Sequence, residues 1–132
     1  MTQQTKTAVD LLYKDEAYAI VGAAMEVYNE LGPGFAENIY QEAPAMELRE
    51  RNIPFVEQQP IQIMYKGKPL RQRYIPDFFV YDKIIVEIKA VKQLGLLEQG
   101  QILNYLKATG VRLGLLINFG NDYKLNWERK IL

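Results

Sequence analysis

A chain of 132 residues, 48% hydrophobic and 24% charged, fits one globular domain; two cores of that size would each be marginal. It contains no cysteine and no histidine, which excludes disulfides, thiol and Ser-His nucleophiles and cysteine-held zinc. Any metal must be held by oxygen atoms, which favours a hard ion such as Mg²⁺, Mn²⁺ or Ca²⁺.

Sixteen basic and 16 acidic residues cancel, a balance that weighs against indiscriminate nucleic-acid binding but allows an acidic site with a basic flank. No run approaches the roughly 20 apolar residues of a membrane-crossing helix. The segment Met1 to Thr7 is polar and lacks the apolar centre of a signal peptide, so the expectation is a cytoplasmic protein with no membrane role.

Taken in chain order, residues 1–13 read as a polar leader and 14–132 as the domain. From Lys14 to Leu31, Ala17, Ile20, Val21, Ala24, Val27, Tyr28 and Leu31 recur at three- and four-residue spacing, one face of an amphipathic helix. Gly32-Pro33-Gly34 ends it. A second helix is predicted over about 36–51, with Ile39, Ala43, Met46 and Leu48 inward. Pro44, which removes a backbone donor, predicts a kink or a late start. Asn52 suits a left-handed helix end, and Pro54 closes the helical option.

Alternation over 59–65 predicts a strand, Lys66-Gly67-Lys68 a turn, and further strands follow over about 70–81 and 84–90. A helix over about 97–109, stopped by Gly110, precedes a near-continuous apolar strand over 112–119, as expected where both sheet faces are covered. Strand, helix, strand at this spacing is a parallel crossover. Asn121-Asp122 marks a turn before an edge strand from Tyr123 to about Arg129, with Trp127 as its packing anchor. The fold class is α/β: one mixed sheet flanked by helices, in the order ααβββαββ.

The chemistry concentrates in Ile75-Pro-Asp-Phe-Phe-Val-Tyr-Asp-Lys-Ile-Ile-Val-Glu-Ile-Lys-Ala90. Asp77, Glu87 and Lys89 lie among apolar strand residues, where a charge costs several kcal/mol unless paired or bound to metal. Glu87 and Lys89, two apart on a strand, share a face. Two carboxylates can hold a hard cation, with the Ile88 backbone carbonyl as a further ligand, and Lys89 beside it can orient water or neutralise a transition state. Register decides whether Asp77 takes part. A two-residue loop at Asp82-Lys83 would put Asp77 on the wrong face; a three-residue loop of Tyr81, Asp82 and Lys83 puts it opposite Glu87, and this is the expectation.

Pro76-Asp77, nine residues, then Glu87-Ile88-Lys89 resembles the PD-(D/E)XK motif of restriction-endonuclease-like nucleases. Gly34-Phe-Ala-Glu37-Asn-Ile-Tyr40 is similar to the signature of the GxxExxY family within that superfamily, and Gln101-Ile-Leu-Asn-Tyr105 to the QxxxY motif of RecB-like nucleases. The resemblance implies a nuclease using Mg²⁺ or Mn²⁺, with Asp77 and Glu87 as metal ligands, Lys89 as the catalytic lysine and Glu37 as an added acidic residue acting through water. It further implies that Gln101 and Tyr105 contact the site or a DNA phosphate. The implied partner is nucleic acid, DNA first, with specificity supplied by a homodimer or a second protein.

Simpler readings stand beside these. Glu87 and Lys89 could form a surface ion pair, Glu37 could serve the helix dipole, Tyr40 could be core, and Gln101 and Tyr105 could be a hydrogen-bonded helix face. Lys66, Lys68, Arg71 and Arg73 are either a phosphate-binding flank, with Arg73 nearest the site, or protection against strand-edge pairing. A catalytically silent module of nuclease fold that binds nucleic acid or a protein is the alternative to an enzyme.

Overall fold

The computed structural model describes residues 12–132; most of the leader expected over 1–13 lies outside them. Leu12 and Tyr13 pack against the core, and an Arg129 guanidinium nitrogen donates to the Leu12 carbonyl. Two helices, α1 (Lys14–Leu31) and α2 (Glu37–Glu50), open the fold. Five strands follow: β1 (Phe55–Glu57), β2 (Ile61–Tyr65), β3 (Lys68–Tyr74), β4 (Phe78–Val80) and β5 (Ile84–Lys89). Then come α3 (Leu96–Thr109), β6 (Leu113–Asn118) and β7 (Asn126–Ile131).

The expected α/β class holds, with a mixed five-stranded sheet in the order β1-β4-β5-β6-β7. Its β5–β6 pair is parallel across α3, and the other neighbours are antiparallel. The strand expected over 70–81 divides at Ile75-Pro76-Asp77, since proline cannot donate to a ladder. Its first part pairs with β2 as a separate two-stranded sheet; its second joins β5 and β1. The Lys66-Gly67 turn of that hairpin has φ of 50° and 76°, the left-handed pair that matches strand twist.

Helices α1 and α2 cover one face of the main sheet, meeting Ile84, Val86, Ile88, Leu113, Leu115 and Ile117. Helix α3 and the β2–β3 hairpin cover the other, through Tyr74, Ile85, Ile102, Leu106 and Leu116. With both faces covered, every residue of β6 is buried. Gly114 lets α3 close down: a Cβ there would stand 2.8 Å from Ile102 Cδ1.

Helix α2 differs from expectation. It runs through Pro44 and buries Tyr40, Pro44, Ala45 and Leu48, while Met46 is 62% exposed. The proline falls on the core side, where its ring replaces an apolar side chain, and this turns Met46 outward. Asn52 takes the left-handed conformation expected of it, φ 57°, and Gly110 ends α3 at φ 78°. Among the described residues no helix is long and apolar enough to cross a membrane.

Candidate active site

The acidic pair is assembled by one hairpin. Strands β4 and β5 pair Phe78 with Val86 and Val80 with Ile84, leaving Tyr81, Asp82 and Lys83 as the connection. That is the three-residue loop, and the same register carried one step further places Asp77 opposite Glu87. The Lys83 N–H donates to the Val80 carbonyl at 3.1 Å, and the two residues this bond encloses, Tyr81 and Asp82, have φ of 55° and 58°.

Asp77 stands where β4 peels away from β5, and its carboxylate takes over a vacated ladder position. The Ile88 N–H donates to Asp77 Oδ2 at 2.7 Å, and the Asp77 N–H donates to Glu87 Oε1 at 3.3 Å. On a strand the N–H and carbonyl of one residue point to the same side, so the Ile88 carbonyl also faces the Asp77 edge. From α2, Gln41 Nε2 donates to Asp77 Oδ1 at 2.9 Å.

Tyr74, the last residue of β3, donates its hydroxyl to Glu87 Oε1 at 2.5 Å. Its ring stacks on Tyr105 of α3, with centroids 3.8 Å apart and planes 8° from parallel. Tyr105 therefore reaches the site through Tyr74. Gln101 lies one turn earlier on the same helix face and is exposed, without a bond to the acidic pair. Arg73 is exposed and, next to Tyr74 on the strand, projects from the opposite face. Lys89 is half-buried on the Glu87 face.

Glu37 opens α2 one turn before Gln41 and is exposed; among the described residues no group of three acidic side chains comes close enough to share an ion. The other members of its motif are structural. Gly34 has φ 112°, a conformation that disfavours any side chain. Tyr40, fully buried, donates to the Gly32 carbonyl at 2.5 Å, accepts from the Phe35 N–H at 3.2 Å and stacks on Phe119. It clamps the loop from which Glu37 starts.

Burial sets the electrostatics. It pushes the Glu87 carboxyl up to about 7; nearby Asp77 adds to the rise, while the Tyr74 hydroxyl, the Asp77 N–H and Lys89 oppose it. Asp77 is raised by burial too, against the Ile88 N–H, Lys89 and Gln41. Tyr74 is held protonated by burial and by Glu87, which fixes it as a donor. Two carboxylates joined by a backbone N–H, both reluctant to ionise without a counter-charge, suit a hard cation. Glu87 Oε2 accepts from no group among the described residues and is the oxygen left for a ligand. An ion held by only two carboxylates would complete its shell with water, which Mg²⁺ tolerates well.

Asp77 also walls a polar cleft of about 410 Å³ with Asn38, Gln41, Arg49, Glu57 and Gln58. A larger cleft of about 930 Å³, between α1 and β7 beside Trp127, contains none of Asp77, Glu87 or Lys89.

Besides Gln41, two supporting residues are not apparent from the sequence alone. Tyr74 reads as an ordinary strand aromatic, and only its position just before Pro76-Asp77 hints at more. Asn118, within the apolar run of β6, is fully buried. Its amide donates to the Val91 carbonyl at 2.7 Å and to Asn126 Oδ1 at 3.3 Å, and its Oδ1 accepts from the N–H of Val91 at 2.8 Å and of Gly120 at 3.1 Å. This ties down the chain just past Lys89. A Cβ at Gly120 would meet Val91 O at 2.4 Å, so only glycine fits there.

A family model described as the PD-(D/E)XK nuclease superfamily matches residues 14–130. Among solved structures, the crystal structure of SSO0001 is similar at TM-score 0.54 and 18% identity, over 99% of this chain and 70% of that one. An alkaline exonuclease from Laribacter hongkongensis is similar at TM-score 0.50 and 16% identity, over 97% of this chain and 72% of that one. At these identities the likeness is one of fold. No curated protein sequence matches the chain.

Proposed function

Because the chain belongs to the PD-(D/E)XK nuclease superfamily, we propose that it hydrolyses phosphodiester bonds of nucleic acid with a divalent ion held at Asp77 and Glu87. The observation that carries this reading is the joined pair itself: carboxylates on adjacent strands, linked through the Asp77 N–H, with Lys89 two residues beyond Glu87. Nucleases of this superfamily generally use divalent metals, and Mg²⁺ or Mn²⁺ fits an all-oxygen site. When bound, the ion supplies a nucleophilic water and offsets charge on the phosphoryl oxygens.

The remaining roles fall to the chain. Asp77 and Glu87 hold the ion, the Ile88 carbonyl faces the same edge as a further ligand, and Glu37 acts from α2 through water. Lys89 places an ammonium beside the reacting phosphate, where charge develops. Tyr74 holds Glu87 in one orientation, and Tyr105 supports Tyr74. Gln101 and Arg73 contact substrate outside the reacting centre. The GxxExxY assignment is part of this reading and is favoured by Gly34, Glu37 and Tyr40 opening α2 in that order. So are a DNA substrate, a cytoplasmic setting and specificity supplied by a second copy or a partner.

A second reading, a silent nuclease-fold module, is favoured by one observation: both Asp77 oxygens already accept protein hydrogen bonds. Calorimetric titration with Mg²⁺ and Mn²⁺, alongside Asp77→Ala and Glu87→Ala, separates the two. Metal binding abolished by both substitutions, with cleavage of a panel of DNA and RNA substrates, is expected. Millimolar metal that fails to bind, or binds both variants equally, sinks the proposal.

A further inference from the structure

Residues 58–76 hold four of the chain's 16 basic residues and none of its 16 acidic ones, so the rest carries 12 against 16. The neutral total thus conceals a segregation. All four, Lys66, Lys68, Arg71 and Arg73, are exposed on the β2–β3 hairpin, and none forms an ion pair within the described residues. The hairpin is a sheet of its own. Ile61, Ile63 and Tyr74 bind it to the α3 side, while Gln62, Met64, Arg71 and Arg73 on its other face are all exposed among the described residues. Met64 and Tyr65 are 46% and 60% exposed beside these charges.

Protection against edge pairing requires charge, but not charge of one sign. A chain with as many acids as bases has no such reason to exclude every acid from 19 residues. A single sign, with apolar side chains interleaved, matches a polyanion whose sugars and bases also make contact.

We propose that the β2–β3 hairpin is a nucleic-acid-binding arm that grips the phosphates of the strand leading to the acidic pair. The proposal rests on the nuclease reading and gives its substrate a path. Tyr74 ends the arm on Glu87, so a backbone that follows the hairpin's outer face and rounds its 74–76 end arrives at the acids. Arg71 and Arg73, two apart on one strand face, are spaced for neighbouring phosphates. From Tyr74 to Lys68 the strand runs roughly 20 Å, the rise of about six nucleotides of duplex. The arm therefore contacts substrate well beyond the bond to be cut, and the chain grips long substrates more tightly than short ones.

The test measures anisotropy of fluorescein-labelled 20-mer DNA, duplex and single-stranded, in Ca²⁺ over 50–200 mM NaCl. Lys66→Gln/Lys68→Gln/Arg71→Gln should weaken binding at least about tenfold at low salt. It should also lower the log–log salt slope by about 2 to 3, since each lost phosphate contact removes about 0.7 (single strand) to 0.9 (duplex). Lys107→Gln on α3 is the control and should change the slope by less than one contact. Arg71→Gln alone should lose about one contact's share. An unchanged slope in the triple variant, with circular dichroism and Tm intact, overturns the arm. Native protein that binds neither DNA overturns it too and points to an acidic protein partner. Hydrolysis of bis(p-nitrophenyl) phosphate by the native chain with Mn²⁺ tests the acidic site separately, because that diester is too small to span the arm. Failure there with DNA binding retained counts against the nuclease reading and not against the arm.

Discussion

The Tyr74 hydroxyl and Glu87 Oε1 are 2.5 Å apart, and the tyrosine that makes this bond is itself stacked on Tyr105. A helix residue thereby acts on a carboxylate it does not touch. Removing the donor should raise the Glu87 pKa further, because the bond favours the ionised form. Tyr74→Phe should therefore weaken metal binding by about 10- to 100-fold, the usual cost of losing a group that orients a ligand. Tyr105→Leu keeps the bond but removes the stack, so its effect should be smaller. Calorimetric metal titration of the two variants checks the order; equal losses would mean that Tyr105 works by another route.

The raised Glu87 carboxyl predicts an inverted pH dependence for the metal-free protein. A folded pKa of about 7 against an ordinary value of 4.5 means the native state holds a proton that the unfolded chain has released. Stability should be greatest near the lower value and fall as pH rises through the higher one, by a few kcal/mol at most at about 1.4 kcal/mol per pKa unit. Calorimetry in EDTA at pH 5 and pH 8 should give the higher Tm at pH 5. Glu87→Gln, which stays neutral, should flatten that difference.

Asn118→Ala deletes an amide that serves both backbone groups of Val91 and the N–H of Gly120. Buried groups left without partners cost about 1–3 kcal/mol each, and urea unfolding should show a loss of about 2–4 kcal/mol. Gly120→Ala forces a Cβ into the Val91 backbone and should be at least as damaging. A loss below about 0.5 kcal/mol in either variant would mean that water or a shifted loop replaces these contacts.

Two adjacent non-glycine residues, Tyr81 and Asp82, carry positive φ in the turn that brings Asp77 to Glu87. Asp82→Gly should relieve left-handed strain and, after the added freedom of the unfolded chain, stabilise the fold by about 0.5 kcal/mol. Chemical denaturation reads the shift. Tyr81→Gly should do the reverse, because Tyr81 packs against the core.

Much of this was legible in the sequence because it is local. The α1 periodicity, the glycine stops and the register of Asp77 against Glu87 depend on spacing within one or two elements. Pro76 was legible as part of a motif but not as a break, since nothing in 70–81 says that β3 leaves the sheet. In α2 the spacing places Ala43 and Leu48 correctly on the core side but not Met46, and Pro44, which on local grounds predicts a kink or a late start, lies in the core within a continuous helix. Gln41, not Glu37, is the α2 side chain that reaches Asp77, and spacing alone gave no reason to prefer it. Tyr74 and Asn118 owe their importance to partners 13 and 27 residues away, which periodicity does not encode.

The two carboxylates come from one hairpin and are separated by nine residues, which has a consequence for assembly. Hairpins close in about 1–10 μs, whereas the parallel β5–β6 pairing must wait for α3 to bridge it. Asp77 and Glu87 can therefore meet before the sheet that buries them exists, while both are still solvated and ordinary in acidity. Their adjacency is a local event and their unusual proton affinity a late one, acquired when α3 and the β2–β3 hairpin cover the sheet and bury them.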